Sequence, residues 1–585
     1  MNEERIYAGT VDEMKEGSPK VIKGGNHGIA VIADNDAFYA VDNRCPHLGF
    51  PLHLGSVCDG LLTCHWHHAR FDIKTGGTLD PWADDVPAYP VEVIGNEVWV
   101  VTVPKNKQTV TSLRNRLREG LEQNLSLVIA KAVVGLVEAR EPLADIAKVG
   151  VEFGTRHRFK GWRSGLTILT AMTNMLPYLD KNGQILALYQ GLAHVARESA
   201  GMGTRFLTGP LPVGGDEDIP SLQTLSNWYR HSIEVRDVQG AERVLLTAIE
   251  SGASNEELSD MMLRSVTDHY YMNTGHTLDF HNKAFEILGR IGSNNRDFVL
   301  TSLLPELSDA SRSEEQNSWQ TPVQLVTPLE AVFEEVMNTA FGEDEIKTDR
   351  MQLVELILDD QPLETIRALF DELKSGTSPV KLGQLVSAAA AERLARFHVQ
   401  NEFRDWITVL HTFTHAHAVH ESLKRSVTPE LTRAIFHTAM SIYLDRFLNT
   451  PSARRPERTR GDNNTPPETD EFLTLLDKQQ QTDQAAKWAA DYLNRGGKKK
   501  ALFNALGHGV LREDAEFHTF QVFEAAITEH ESWENDESDF AEWAKDTMVF
   551  AAVRYIAAHA PTSREISHTA KIAVRLSRGE KLFEE

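Results

Sequence analysis

Cys45-Pro-His47-Leu-Gly-Phe50 and Cys64-His-Trp-His67-His68 decide how the first part of the chain is read. The spacing is Cys-x-His, sixteen residues, then Cys-x-x-His. Two thiolates and two imidazoles in two short loops suit either zinc or an iron–sulfur cluster. A structural zinc site and four satisfied core residues are the bland alternatives. Val21-Ile-Lys, Ile29-Ala-Val-Ile and Phe38-Tyr-Ala-Val are short β-rich runs, punctuated by Asn26-His-Gly28 and Asp34-Asn-Asp36. Val91-Glu-Val-Ile-Gly95-Asn96-Glu-Val-Trp-Val-Val is a hairpin pattern with its turn at Gly-Asn. The two metal-ligating loops fall between strands of an all-β segment, residues 1–105.

These loops, with the run His67-His-Ala-Arg-Phe71-Asp72-Ile-Lys-Thr75-Gly76, resemble the Rieske [2Fe–2S] family. Its second loop continues His-Gly-x-x-Phe-Asp-x-x-Thr-Gly. The resemblance implies a small β-sandwich in which Cys45 and Cys64 hold one iron and His47 and His67 the other. Neutral imidazoles lower the cluster's negative charge and make it easier to reduce. His68 departs from the family's usual Gly. Members of the cytochrome bc type carry a disulfide between the loops. Here those places resemble Phe50 and Trp66, so the likeness is to soluble ferredoxin- or oxygenase-type members, in the lower part of the potential range.

The net charge of −24 argues against nucleic acid and anionic membranes as partners. The start, Met-Asn-Glu-Glu-Arg, does not develop into a signal peptide. Leu125 to Val137 is too short for a membrane span and carries Lys131. Three cysteines suit a reducing compartment, and a cytoplasmic location is expected. Cys58, left over from the cluster, reads as a small buried residue.

After a polar linker at 106–111 the text turns helical. Amphipathic patterns such as Leu117–Ala139 and Ile185–Ala200 continue from residue 112 to 585, without strand alternation or a fixed repeat. The expected architecture is an N-terminal all-β domain followed by a large all-α region, long enough for two lobes. A polar loop at 452–469 interrupts it and reads as a mobile lid or contact surface.

No cysteine follows Cys64, so a second metal must be held by His and carboxylate. In Asp268-His269-Tyr-Tyr-Met-Asn273-Thr-Gly275-His276-Thr-Leu278-Asp279-Phe280-His281, a continuous helix would put His269, Asn273 and His276 on one face. Asp279, Phe280 and Lys283 would extend that face. In Leu410-His411-Thr-Phe-Thr414-His415-Ala-His417-Ala-Val-His420, His411 is the chosen ligand. His415, His417 and His420 are read as solvent-facing or supporting. His194 with Glu198, and His518 with Asp514 and Gln521, are further pairs at helical spacing. An arginine–carboxylate–histidine packing network explains these last two equally well.

Two resemblances bear on the second site. Asn273-x-x-His276-x4-His281 matches the mononuclear-iron motif of Rieske oxygenases. However, the helical text does not look like the mixed α/β domain that carries it. Residues of about 150 to 450 resemble the questin-oxidase-like family, all-α oxygenases of aromatic polyketides. Its His-Pro-x-Ile-His-x-Gly-x-x-x-Glu-Phe segment is similar to His269-Tyr-Tyr-Met-Asn273-Thr-Gly275-His276-Thr-Leu278-Asp279-Phe280. Asn273 stands where the second His falls, and His276 could substitute. Its Met-His-x-Val-Thr segment resembles Leu410-His411-Thr-Phe-Thr414.

The resulting expectation is an oxidoreductase in which the cluster feeds a non-haem iron held by His269, His276 and His411, with His194 or His518 in support. O2 would then oxidise an apolar or aromatic organic substrate, in a pocket lined by Trp162, Trp228, Tyr270 and Tyr271. The alternative is an electron carrier or redox sensor whose helices form a docking scaffold without a second metal. No Gly-x-Gly-x-x-Gly run or Walker loop is present, so an external ferredoxin or reductase is the expected electron donor. A homo-oligomer is left open.

Overall fold

The computed structural model describes residues 4–106, 108–157, 161–212, 219–456, 465–580 and 582. They form two compact units, one of residues 1–149 with 565–585 and one of residues 150–564.

The first unit begins with three small antiparallel sheets. β1 (Arg5–Thr10) pairs with β10 (Glu97–Val101), which pairs with β9 (Val91–Ile94). β2 (Lys20–Ile22), β3 (Ile29–Asp34), β4 (Ala37–Asp42) and β8 (Ala88–Tyr89) form the second sheet. β5 (Ser56–Cys58), β6 (Leu61–Thr63) and β7 (Arg70–Asp72) form the third. The expected hairpin forms as read: Glu97 faces Ile94 across Gly95-Asn96. Ile29, Ala30, Val31 and Ile32 are all buried, so β3 is covered on both faces and reads as a continuous apolar run.

Helices Val110–Glu122 and Ser126–Glu138 follow, where one pattern from Leu117 to Ala139 was expected. Asn124, at φ +52°, breaks them apart. The second buries Val128, Ile129, Val133, Val134 and Leu136 and packs against the last helix, Glu565–Ser577. An apolar face this wide needs cover. The change from strand to helix near 112 and the division by packing therefore fall at different places. Within the expected linker, Asn106 accepts from Ala88 N (2.7 Å) and donates to Val86 O (2.9 Å). Lys107 lies outside the described residues.

The second unit is helical. The helices that matter below are His276–Ile291, Phe403–Arg425, Phe517–Ser532 and Asp539–His559. Phe403–Arg425 packs against the first two of the others, and Phe517–Ser532 packs against Asp539–His559. Of the polar loop expected at 452–469, residues 457–464 lie outside the described ones. On its near flank, Arg455 donates to Glu392, Thr547 and the Trp543 carbonyl. No helix among the described residues is long and apolar enough to cross a membrane.

Candidate metal centres

The two cluster loops are built to one plan. Cys45 N donates to Phe50 O (2.8 Å) and Gly49 N to Cys45 O (2.8 Å). In the second loop Cys64 N donates to Ala69 O (2.8 Å) and His68 N to Cys64 O (2.9 Å). The fourth residue after each cysteine must then be left-handed: Gly49 has φ +89° and His68 has φ +64°. A glycine takes that conformation without strain, which explains why His68 is the departure. Phe50 and Trp66 meet across the loops with ring centroids 6.0 Å apart. Ring packing stands where a disulfide was excluded. Below them, Asp72 accepts from the backbone N–H groups of Lys74 and Thr75 and from the Thr75 hydroxyl. The Phe-Asp-x-x-Thr-Gly run is this turn.

Cys45 and Cys64 are buried, with their thiols within hydrogen-bonding reach of each other. His47 is partly buried and His67 exposed, with rings 4.8 Å apart and edge-on. Thiols sit inside and imidazoles at the surface, so the histidine-bound iron would be the outer one. The buried Nδ1 of His47 has no hydrogen-bond partner. An orphaned buried ring nitrogen suits a metal bond. Burial, with the nearby Lys131 charge, pushes the His47 pKa down to about 4, which keeps the ring neutral as a ligand must be. Trp82 packs edge-on against His47 at 4.7 Å.

Cys58 corrects the expectation of a buried residue. It is exposed, and Asp59 raises its pKa.

In the helical unit three histidines converge. His411 Nε2 and His518 Nε2 are 2.8 Å apart, and the His276 ring lies 4.3 Å from His411 and 5.7 Å from His518, centroid to centroid. One ring nitrogen from each lies within 4.8 Å of the other two. Burial and the neighbouring rings push His276 down to about 3 and His411 well below its ordinary value. Both shifts favour the neutral imidazole, the form that ligates a metal. His518 Nδ1 donates to Glu516 Oε2 (2.6 Å), which leaves its Nε2 lone pair aimed at His411. Glu516 is itself held by the Tyr555 hydroxyl (3.2 Å). A carboxylate behind a ligand imidazole fixes its tautomer and raises its basicity. Phe280 and Phe517 pack against His276, at 5.3 and 5.5 Å, and give the site an aromatic wall.

His276 owes its place to a strained turn. Tyr271, Asn273 and Thr274 have φ of +43°, +50° and +54°, and Gly275 has +91°. The helix therefore starts at His276 and does not run back to His269. A side chain on Gly275 would meet the Tyr271 ring at 2.8 Å and His415 Cβ at 2.9 Å. Asn273 holds the turn through Glu306 and the Ser311 backbone N–H. Consecutive left-handed residues persist only where their surroundings fix them.

The other candidates lie elsewhere. His269 donates to Glu314 (2.6 Å) and Glu234 (2.8 Å), and its pKa is raised by them despite burial. It is an ion-paired residue, because the turn has rotated it off the helix face. His194 is half-buried beside Phe520, and desolvation pushes its pKa down to about 4. His281 donates Nδ1 to Thr277 O (2.6 Å) and does not join His276. Asp514 precedes the helix of His518 and accepts from Ser563, while Gln521 donates to Asp279. Trp228 is exposed, and Trp162 is core, donating to Thr167 (2.9 Å).

His415, His417 and His420 are buried, contrary to the solvent-facing reading. The last two belong to an ionic core that sequence reasoning missed. Lys283 donates to Glu524 (2.6 Å) and Glu286 (3.0 Å). His417 and His420 donate to Glu529 at 2.8 and 2.9 Å. Lys283 occupies the place a cation would take among these carboxylates. Glu516 was also missed; its one signal is a carboxylate two residues before His518.

The β unit with its two Cys/His loops is an iron–sulfur electron-transfer domain. Residues 4–90 match the family model described as Rieske [2Fe–2S] domain, and the chain belongs to that family. The anthranilate 1,2-dioxygenase ferredoxin subunit of Burkholderia cepacia is 32% identical over 93 residues, 16% of this chain and 86% of the relative. Human apoptosis-inducing factor 3 is 32% identical over 91 residues, and this chain spans 15% of its length. Among solved structures, the ferredoxin of carbazole 1,9a-dioxygenase from Nocardioides aromaticivorans IC177 is 30% identical, covers 17% of this chain and 98% of that one, and has a TM-score of 0.16. The Rieske domain binds a [2Fe–2S] cluster.

Proposed function

We propose that the chain is an oxidoreductase in which the [2Fe–2S] cluster supplies electrons to a non-haem iron held by His276, His411 and His518. Reduction of O2 at that iron would oxidise an apolar or aromatic organic substrate. The observation that carries this reading is the convergence of three imidazoles in a helical unit on the same chain as a one-electron carrier. Three imidazole nitrogens suit iron, and an iron with open positions would supply O2 chemistry. Glu516 holds the His518 proton at Nδ1, Phe280 and Phe517 exclude water from one side, and the turn at 271–275 fixes His276. Of the expected ligands, His276 and His411 are retained, His518 becomes the third, and His269 and His194 are left out. An external ferredoxin or reductase would refill the cluster. Two relatives named as ferredoxin components of dioxygenase systems support the electron-transfer half of the reading.

The test follows the cluster. The full chain is reduced anaerobically and mixed with O2, and the Rieske EPR signal is timed. The variant His276→Ala/His411→Ala should lose the signal at least ~10-fold more slowly. Equal rates in the two proteins would overturn the proposal.

A further inference from the structure

Lys131 is the one cation in the apolar helix Ser126–Glu138, and its side chain is 13% exposed. An ammonium in such a place must be paired and hydrogen-bonded to be tolerated. Its Nζ donates to Pro46 O at 2.7 Å and to Asp84 Oδ2 at 2.8 Å. Pro46 stands between the cluster-loop residues Cys45 and His47. Asp84 closes the loop that carries Trp82, the ring packed on His47. Arg116, from helix Val110–Glu122, grips the same loop: it donates to Asp84 Oδ1 (2.8 Å), Pro81 O (2.6 Å) and Ala83 O (2.7 Å). Its remaining nitrogen pairs with the half-exposed Glu119. Two helices outside the β domain thus hold two loops beside the cluster, and one of them sets a buried positive charge on the backbone of the first.

We propose that Lys131 is a positioning residue for the cluster, pinning the Cys45–His47 loop through Pro46 O, and that its charge raises the cluster's reduction potential. Reduction adds one electron, and hence one negative charge, to the cluster. A cation held nearby stabilises that state, and the low-dielectric surroundings limit screening. Asp84 acts with the opposite sign. It fixes the ammonium but opposes the added electron.

The experiment is an EPR-monitored redox titration of the full chain and three variants, with iron and sulfide measured to establish loading. In Lys131→Met the reduced-to-oxidised ratio at fixed poise should fall about three- to tenfold, tenfold being about 59 mV for a one-electron couple. In Asp84→Asn it should rise by a similar factor. Lys131→Arg keeps the charge and should stay within about twofold of the parent. A purely structural role would move the first two variants in the same direction. Such a result, or a loaded Lys131→Met whose ratio is unchanged, would overturn the proposal. If Lys131→Met does not load a cluster, Asp84→Asn decides: a rise supports the proposal and a fall or no change overturns it.

Discussion

The cluster loops and the three-histidine site are made in opposite ways. The cluster loops lie within 24 residues of sequence, from Cys45 to His68, and each is closed by the same pair of backbone hydrogen bonds. The three-histidine site draws one residue from each of three helices, and His276 reaches it only because four left-handed residues stop the chain from continuing as helix. The first is a local motif that carries its geometry with it. The second is a product of packing, and its stability rests on the helices beneath it. One turn beyond His276 and His518, the same helices meet through Asp279 and Gln521, and a further turn on through Lys283 and Glu524. Burial raises the Asp279 pKa to about 7. The helices that present the imidazoles are thus joined by buried polar pairs.

That dependence gives the largest expected effect. Lys283→Met leaves Glu524 buried without its main cation. Breaking such a pair should cost ~3–5 kcal/mol of helical-unit stability. Urea unfolding followed by far-UV circular dichroism would measure it, while the Rieske EPR signal should survive. A loss below ~1 kcal/mol would mean that the ionic core does not hold the site's helices together.

Glu516→Gln probes the support behind one ligand. Loss of the carboxylate from His518 Nδ1 should weaken metal binding about 10- to 100-fold. Iron titration into apo protein measures this, and unchanged affinity would remove Glu516 from the site. No change is expected in the cluster, whose ligands carry no such carboxylate among the contacts described.

The ionic core also predicts a pH dependence for the helical unit. Burial would lower the His417 pKa, but Glu524 and Glu529 outweigh it and raise it from 6.5 to about 10. The folded value lies above the unfolded one, so this stabilisation is complete below pH 6.5 and is lost as pH rises toward about 10. The difference in unfolding free energy between the parent and His417→Gln should shrink by ~1 kcal/mol per pH unit across that window. A difference that stays constant would contradict a charged His417.

The smallest effect belongs to the local motif. His68→Gly relieves the left-handed strain at φ +64° and should stabilise the β unit by about 0.5–1 kcal/mol. Differential scanning calorimetry should find a higher melting temperature, and a lower one would show that the His68 side chain contributes contacts worth more than the strain.

The contrast also explains what could be read from the chain alone. The strands β2, β3, β4, β9 and β10, the Gly95-Asn96 hairpin and the two Cys/His loops were legible because short β-rich runs, a two-residue turn and fixed loop spacing are properties of neighbouring residues. His276, His411 and His518 were all among the candidates, but nothing in the text joined them, because helix packing decides which faces meet. His269 was misplaced for a definite reason. The helical projection assumed unbroken α-helix across Tyr271–Gly275, and only Gly275 hints at the break. Lys131 marked its helix as no membrane span, yet its partners Pro46 and Asp84 lie far away in sequence and gave no signal of their own. Histidines 417 and 420 read as solvent-facing or supporting residues because their hydrogen-bond partner, Glu529, lies on another helix.

The central claim is that this chain carries two metal centres, one for each mode of construction. Iron and acid-labile sulfide, measured per chain on anaerobically purified protein, test it most directly. The account predicts three irons to two sulfides, falling to two irons in His276→Ala/His411→Ala with the Rieske EPR signal intact. Two irons to two sulfides in the parent, with no other metal bound, would contradict it.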